Sequence, residues 1–552
     1  MSSLGFIATG AAQLAVETHV GALAAARVAS RIAAKDLTLW GPDAEAEASV
    51  RLDWVDLAET SRALLAPIAA LRAELRAEGI NRIVLAGMGG SSLAPEVITA
   101  TYDVELVVLD STDPDMVANA LTDRLATSVL VVASKSGSTV ETDSQRRVFE
   151  QAFGDAGVDA KQRIIVITDP DSPLDLASQA AGYRAIFHAN PKVGGRYSAL
   201  TAFGLVPSGL AGVDIESLLE EAEEAAEFLA DDDTDNIGLA LGAALAGTVP
   251  LRDKIVFSDE GSGIVGFADW AEQLIAESTG KSGTGLLPVV VENNDPELAA
   301  CSGQNDWDAS DMLLVRLVAD TADLDDEQVF ENRDQVIVSG SLGSQMLLWE
   351  YATVVASRLL GINPFDQPDV ESAKTATRGL LDATPAAVPA MLTDGAVEIR
   401  ATDGLLDGVG DLEGALAALL ETLEPRGYLS VQAYLDRMAE SPLGSVRALL
   451  AEAARRPATF GWGPRFLHST GQFHKGGPKV GAFLQITAES ALDLSIPGIP
   501  FTFGELISAQ ATGDAQVLAD LGRPVLRLHL TDRDAGMAQL AVVAARLTSN
   551  RK

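Results

Sequence analysis

Cysteine is all but missing: the 552 residues contain one, Cys301. A disulfide framework within the chain and a zinc site built from several thiolates are thereby excluded, and a reducing cytoplasm is the expected compartment. Positive charge is also short. Forty Lys and Arg stand against 78 Asp and Glu, a net charge of −38, and such a field repels nucleic acid and anionic lipid headgroups. Neither is an expected partner. No uninterrupted apolar run reaches the length of a membrane span. The alanine-rich stretch Gly5 to Ala34 has helical spacing, but Glu17, His19, Arg27 and Arg31 interrupt it. With no basic segment ahead of an apolar core, no signal peptide is expected.

What is present points to a large enzyme. The chain exceeds what one hydrophobic core usually fills, so two or three domains are expected. After a helical region over residues 1–78, strands and helices alternate. Arg82 to Ala86, Glu105 to Asp110, Ser128 to Ala133 and Arg163 to Thr168 read as continuous apolar strands, the signature of a parallel sheet covered on both faces. This first α/β domain spans 79–212. The acidic segment Glu216 to Asp235 reads as a solvated helix face and loop. Strands resume at Lys254 to Phe257, Leu286 to Glu292, Met312 to Val318 and Gln335 to Val338, giving a second α/β domain over 213–380. Residues 381–552 mix helical pieces (Leu412 to Leu423, Val446 to Ala454) with strand pieces (Val480 to Ile486, Pro524 to Leu530), and read as a smaller α/β region.

Two turns stand out. SKSGSTVET, Ser134 to Thr142, follows the third strand and opens a helix. Its hydroxyls at Ser134, Ser136, Ser138 and Thr139, the Lys135 ammonium and the free N–H groups of a helix start make a seat for a phosphate. GMGGSS, Gly87 to Ser92, follows the first strand, and its glycines let the backbone approach a ligand. Asp110 stands where a ribose-binding acid would stand for a dinucleotide, while the hydroxyls, and Ser92 in place of a third glycine, favour a phosphate monoester. Both turns belong at the carboxyl edge of one sheet.

Further along, VGGRYSALTAFGL carries Arg196 at a turn, where it pairs with a surface carboxylate or stabilises charge on a reacting oxygen. In DWAEQLIAESTGK, Gln273 and Glu277 lie four apart on one helix face, and Glu277 is a solvated glutamate or a base in a cleft. NPFDQPDVESAK carries Gln367, Glu371 and Lys374. FLHSTGQFHKGGP holds His468 and His474, two of only five histidines. A metal site would need a third ligand, which is not evident there, so acid–base work is the more economical use.

Together these five motifs, GMGGSSLAP, SKSGSTVET, VGGRYSALTAFGL, EQLIAESTGK and NPFDQPDVESAK, resemble the glucose-6-phosphate isomerase family, in family order over residues 80 to 380. The resemblance implies two doubly wound, parallel-sheet sugar-isomerase domains of three-layer α/β/α architecture, with N-terminal helices and a C-terminal α/β extension. It also implies interconversion of glucose 6-phosphate and fructose 6-phosphate in glycolysis and gluconeogenesis, without a cofactor or metal. Carried over by position, Ser91, Ser134, Ser136, Thr139 and Gln367 hold the phosphate, with Lys135 alongside. Glu277 moves a proton between C1 and C2 through a cis-enediol(ate), Arg196 stabilises that intermediate, and Lys374 assists ring opening. The pattern HSTGQ makes His468 similar to the ring-opening histidine, although that segment normally precedes the glutamine–lysine segment; His474 is the second candidate. The order is similar to an actinobacterial branch related to the isomerase half of transaldolase–isomerase fusions. In the family a neighbouring subunit lends the histidine, which implies a homodimer. Two other readings remain: a dual phosphoglucose/phosphomannose isomerase, which would share every one of these residues, and a non-catalytic sugar-phosphate-binding regulator, which would keep the two phosphate turns but has no use for Glu277, Arg196, Lys374 and His468 together.

Overall fold

In a computed structural model, which describes residues 4–325, 329, 333–383 and 388–550, the first element is a strand where helix was expected. Residues Gly5–Thr9 form β1, and the alanine-rich helix α1 starts only at Gly10 and runs to Ala25. β1 pairs antiparallel with a strand more than 300 residues away, a tertiary contact that local spacing does not encode.

The first sheet is parallel throughout. Its strands β2 (Arg82–Gly87), β3 (Val107–Leu109), β4 (Ser128–Ala133), β5 (Ile164–Thr168) and β6 (Ala185–His188) lie in the order β3-β2-β4-β5-β6. All six residues of β2 and of β4 are buried, because the two faces serve different cores. Ile83, Leu85, Val129 and Val131 pack into one, and Val84, Ala86, Leu130 and Val132 into the other. Helix α2 (Leu93–Thr101) follows β2 and α3 (Val140–Asp155) follows β4. The order reverses between these strands, so their loops flank the crevice where doubly wound sheets bind ligands.

β7 (Lys254–Asp259), β8 (Leu287–Val290), β9 (Met312–Leu317) and β10 (Gln335–Ser339) form the second sheet with β1 on its edge, in the order β1-β10-β9-β7-β8. Helix α4 (Phe267–Thr279) leaves β7, and α5 (Glu371–Ala383) closes this part of the chain.

The C-terminal region is larger than expected. It holds six strands, β11 (Leu392–Asp394), β12 (Val397–Ala401), β13 (Tyr428–Tyr434), β14 (Ala458–Trp462), β15 (Gly481–Ala488) and β16 (Val525–Leu530), in the order β11-β12-β16-β15-β13-β14. Its parallel strands β14-β13-β15-β16 repeat the β8-β7-β9-β10 order, which makes it a third doubly wound sheet rather than a small extension.

Two of its helices matter below: α6 (Gly471–Gly476) and α7 (Phe503–Asp520). Phe503 and Leu506 of α7 enter the core beside Val84 and Leu130 of the first sheet. Ala515 and Leu518 enter the core beside Val256 and Leu314 of the second. Between them, Ile507 and Ala511 meet Tyr434 and Phe466.

Candidate active site

Glycine-bearing turns follow β2 and β4 at the first crevice, and a third, at Gly194 and Gly195, packs against the turn after β2. Gly137 has φ +67°, and a side chain there would meet the main-chain nitrogen of Leu174 at 2.7 Å, so the hydroxyl-rich turn after β4 requires glycine. Around it, Ser134 Oγ lies 2.9 Å from Thr139 Oγ1, and Ser136 Oγ lies 3.0 Å from Ser138 Oγ. Thr139 is the N-cap residue of α3, yet its side chain makes no capping hydrogen bond. Its hydroxyl therefore belongs to the cluster and not to the helix end. Ser91 is half-buried in the neighbouring turn after β2.

Lys135 points elsewhere. Its ammonium donates to both Asp169 oxygens at 2.7 and 3.0 Å and approaches the carbonyls of Asn190 and Pro191 at 3.4 Å. Burial, aided by the charge of Arg51, outweighs Asp169 and holds its pKa below the ordinary lysine value. Asp110, the candidate ribose acid, is likewise committed, to Arg437 at 3.1 Å and Arg465 at 3.0 Å. That removes the dinucleotide alternative.

Arg196, buried in the turn before an apolar helix, spends its donors on main chain. One terminal nitrogen donates to Glu277 O at 2.7 Å and Pro364 O at 3.2 Å. The other donates to Phe365 O and Asp366 O at 3.3 and 3.1 Å, to Gln367 Oε1 at 3.4 Å, and lies 3.4 Å from Glu277 Oε1. Arg196, Glu277 and Gln367 are thus brought together. Lys281 straps the same turn, donating to Asn363 O, Asp366 O and Asp366 Oδ1 at 2.6–2.8 Å. Burial and the charge of Arg196 push its pKa down to about 8, against the pull of Asp366 and Glu277.

Glu277 sits in the last turn of α4, and the displaced histidine reaches it within one chain. Gln273 Nε2 donates to Glu277 Oε2 at 3.0 Å and to the main-chain oxygen of His468 at 2.8 Å. Gly89 of the turn after β2 is wedged against both partners: a side chain there would meet His468 O at 2.6 Å and Gln273 Nε2 at 2.9 Å. The imidazole of His468 bonds through Nε2 to Glu141 Oε1 at 3.0 Å. Burial raises the Glu141 pKa, but the charge and hydrogen bond of His468, its own backbone N–H and the charge of Lys374 together hold it below the usual glutamate range.

His474 is not part of this arrangement. It is buried on α6 against β13, with Nδ1 3.0 Å from Tyr428 Oη and Nε2 3.3 Å from Ser430 Oγ. Burial, then the charges of Lys475 and Arg523, push its pKa well below that of a free histidine. Lys374 stands at the rim, half-exposed and paired with Glu371 at 2.8 Å. No group of three or more His, Cys, Asp or Glu among the described residues is placed to hold a metal.

Sequence reasoning missed Glu141 and Gln510 of α7. Glu141 lies inside SKSGSTVET, and read for hydroxyls the motif hid its acid. Gln510 carries no local signal.

The chain that builds this arrangement has relatives of known family. Residues 72–282 match the phosphoglucose isomerase family. A probable glucose-6-phosphate isomerase of Haloarcula marismortui is 29% identical over 59% of this chain and 81% of its own. The corresponding protein of Haloquadratum walsbyi is 30% identical over 55% of this chain and 80% of its own. Among solved structures, a hypothetical protein from Thermus thermophilus shares the fold with a TM-score of 0.55 over 68% of this chain and 100% of that one, at 23% identity.

Proposed function

This chain belongs to the glucose-6-phosphate isomerase family, and on that footing we propose that it interconverts glucose 6-phosphate and fructose 6-phosphate. The observation that carries the proposal is the Gln273 bridge, which puts a carboxylate and an acid-paired histidine on either side of one amide. A sugar-phosphate-binding regulator would have no use for that pair.

In this reading the phosphate rests on Ser91, Ser134, Ser136, Thr139 and Gln367, with Lys135 bracing the turn through Asp169. His468 and Lys374 move the proton between the ring oxygen and O1 as the C1–O5 bond of the aldose breaks. Glu277 then removes the proton from C2, and the electron pair forms the C1–C2 double bond of a cis-enediol(ate). A proton passes from O2 to O1, and the proton held by Glu277 returns to C1, leaving a hydroxyl at C1 and the ketone at C2. Arg196 stabilises the negative charge of the intermediate largely through its field, because five acceptors already engage its terminal nitrogens. Every step is an internal proton transfer, and the seat distant from the chemistry supplies orientation.

The compartment proposed is the cytoplasm. No helix among the described residues is long and apolar enough to cross a membrane. A homodimer is the family's implied assembly, yet here the histidine comes from the chain's own C-terminal region, so catalysis in this reading needs one chain. The test is conversion of fructose 6-phosphate to glucose 6-phosphate by the purified protein, coupled to glucose-6-phosphate dehydrogenase. Turnover is expected, and its absence from folded protein refutes the proposal.

A further inference from the structure

The C-terminal sheet domain lends His468 and touches the base helix through it, and a second of its elements, α7, reaches the histidine's acid. Gln510 is buried, and its Nε2 donates to Glu141 Oε1 at 2.7 Å. Its own Oε1 accepts from Thr112 Oγ1 at 2.6 Å. The amide's orientation is set by chemistry: a carboxylate only accepts, so the NH₂ group must face Glu141, and the oxygen is left for the hydroxyl. Glu141 Oε1 therefore receives two donors, Gln510 and His468 Nε2. The second must carry a hydrogen, which leaves Nδ1 as the ring nitrogen free to exchange a proton.

We propose that Gln510 is a positioning residue for ring opening: the line Thr112–Gln510–Glu141 fixes the carboxylate against His468, so the third sheet's domain, which already lends His468, also takes part in the reaction through α7. The inference rests on the ring-opening role proposed for His468. Without Gln510 a buried carboxylate would lose a charge-assisted hydrogen bond and be free to turn away from the imidazole. The charged groups around Glu141 do not replace it. His468 is its partner, and Lys374 at the rim is paired with Glu371. Asp143 on its own helix is held by Arg146 and Arg147, and Asp514, one turn along α7, is held by Lys475 at 2.6 Å.

Two rates separate positioning from general damage. Exchange between the anomers of fructose 6-phosphate, followed by NMR, reads ring opening alone. Isomerisation of 5-deoxyfructose 6-phosphate, which lacks the oxygen that closes the furanose, reads the later proton transfer alone. Gln510→Met keeps the volume and removes both hydrogen bonds. It is expected to slow anomer exchange about tenfold and to move the acid limb of that exchange to higher pH, while the open substrate reacts within about twofold of the parent protein. Thr112→Val should act in the same direction but less, and decides the matter if the first variant does not fold. Equal losses on both substrates, or no loss on either, overturn the proposal. If the unmodified protein isomerises the open substrate but does not exchange anomers, the ring-opening role of His468 fails and this proposal with it. If it does neither, the isomerase reading itself fails.

Discussion

The main chain at Gly90 passes so close to the turn before Arg196 that a methyl group added there would lie 2.0 Å from Gly195 O. Real Cβ contacts begin near 3.0 Å, so Gly90→Ala forces the two turns apart by at least about 1 Å, because the Cβ is fixed by its own backbone and Gly195 O is backbone, and neither can rotate away. The displacement has nowhere harmless to go. On one side it moves Ser91, and through Gly89 it moves the contact with Gln273 and His468; on the other it moves Arg196, whose donors set Glu277 and Gln367. A misplacement of about 1 Å in groups that position a substrate costs on the order of a hundredfold in rate, or about 2.7 kcal/mol of transition-state stabilisation. The expected result is a hundredfold lower kcat/KM, with both kcat and KM affected, in a protein whose circular dichroism and thermal midpoint show it folded. The coupled assay over a range of fructose 6-phosphate concentrations measures it. A folded Gly90→Ala protein with kcat/KM within threefold of the parent would refute the view that these turns must interlock for catalysis.

Glu277→Gln should lower kcat by about 10²–10⁴-fold, the usual contribution of a positioned general base, while inorganic phosphate binds within a few-fold of its normal affinity; a near-normal rate would remove Glu277 as the base. His468→Ala should slow cyclic fructose 6-phosphate more than 5-deoxyfructose 6-phosphate, and equal losses would argue against ring opening. Glu350→Gln addresses stability alone. Glu350 is buried on the helix Leu342–Leu360, both its carboxylate oxygens lack a hydrogen-bond partner among the described residues, and burial raises its pKa well above 4.5. Below the unfolded pKa both states hold the proton, and above it only the fold does, so stability drops by about 1.4 kcal/mol per pH unit until the folded group ionises. The variant should be more stable than the parent at pH 7 and lose less between pH 5 and 7 in urea unfolding; unchanged pH dependence would show that Glu350 is not carried neutral.

Where apolar residues fill consecutive positions, sequence and structure agree closely: Ser128 to Ala133 is a strand in both, and Gln335 to Val338 is short by one residue. The same rule hid β13 and β14. In YLSVQAY, Leu429, Val431 and Ala433 face one apolar core, while the other face alternates Tyr428 and Tyr434, each in a separate apolar cluster, with buried Ser430 and Gln432, so the run does not look like a continuous apolar strand. β6 has only four residues, of which Phe187 alone is buried, and escaped for want of length and of a continuous buried run. In the site, the hydroxyl turns and Glu277 are legible because their chemistry is local. The Gln273 bridge is half legible, since helical spacing places Gln273 beside Glu277 but says nothing of His468, far along the chain in the third sheet's region. Gln510 is invisible to any local reading, because what it does depends on a helix crossing from one sheet to another.

That crossing helix also governs how the molecule comes apart. Leu506 of α7 completes a core lined by the first sheet and Leu518 one lined by the second, while Ile507 packs against Tyr434 of the third. Pulling α7 away opens all three at once. The chain should therefore melt as one cooperative unit, and cutting it anywhere between residue 381 and the start of α7 should unfold the two leading sheets as well as the last.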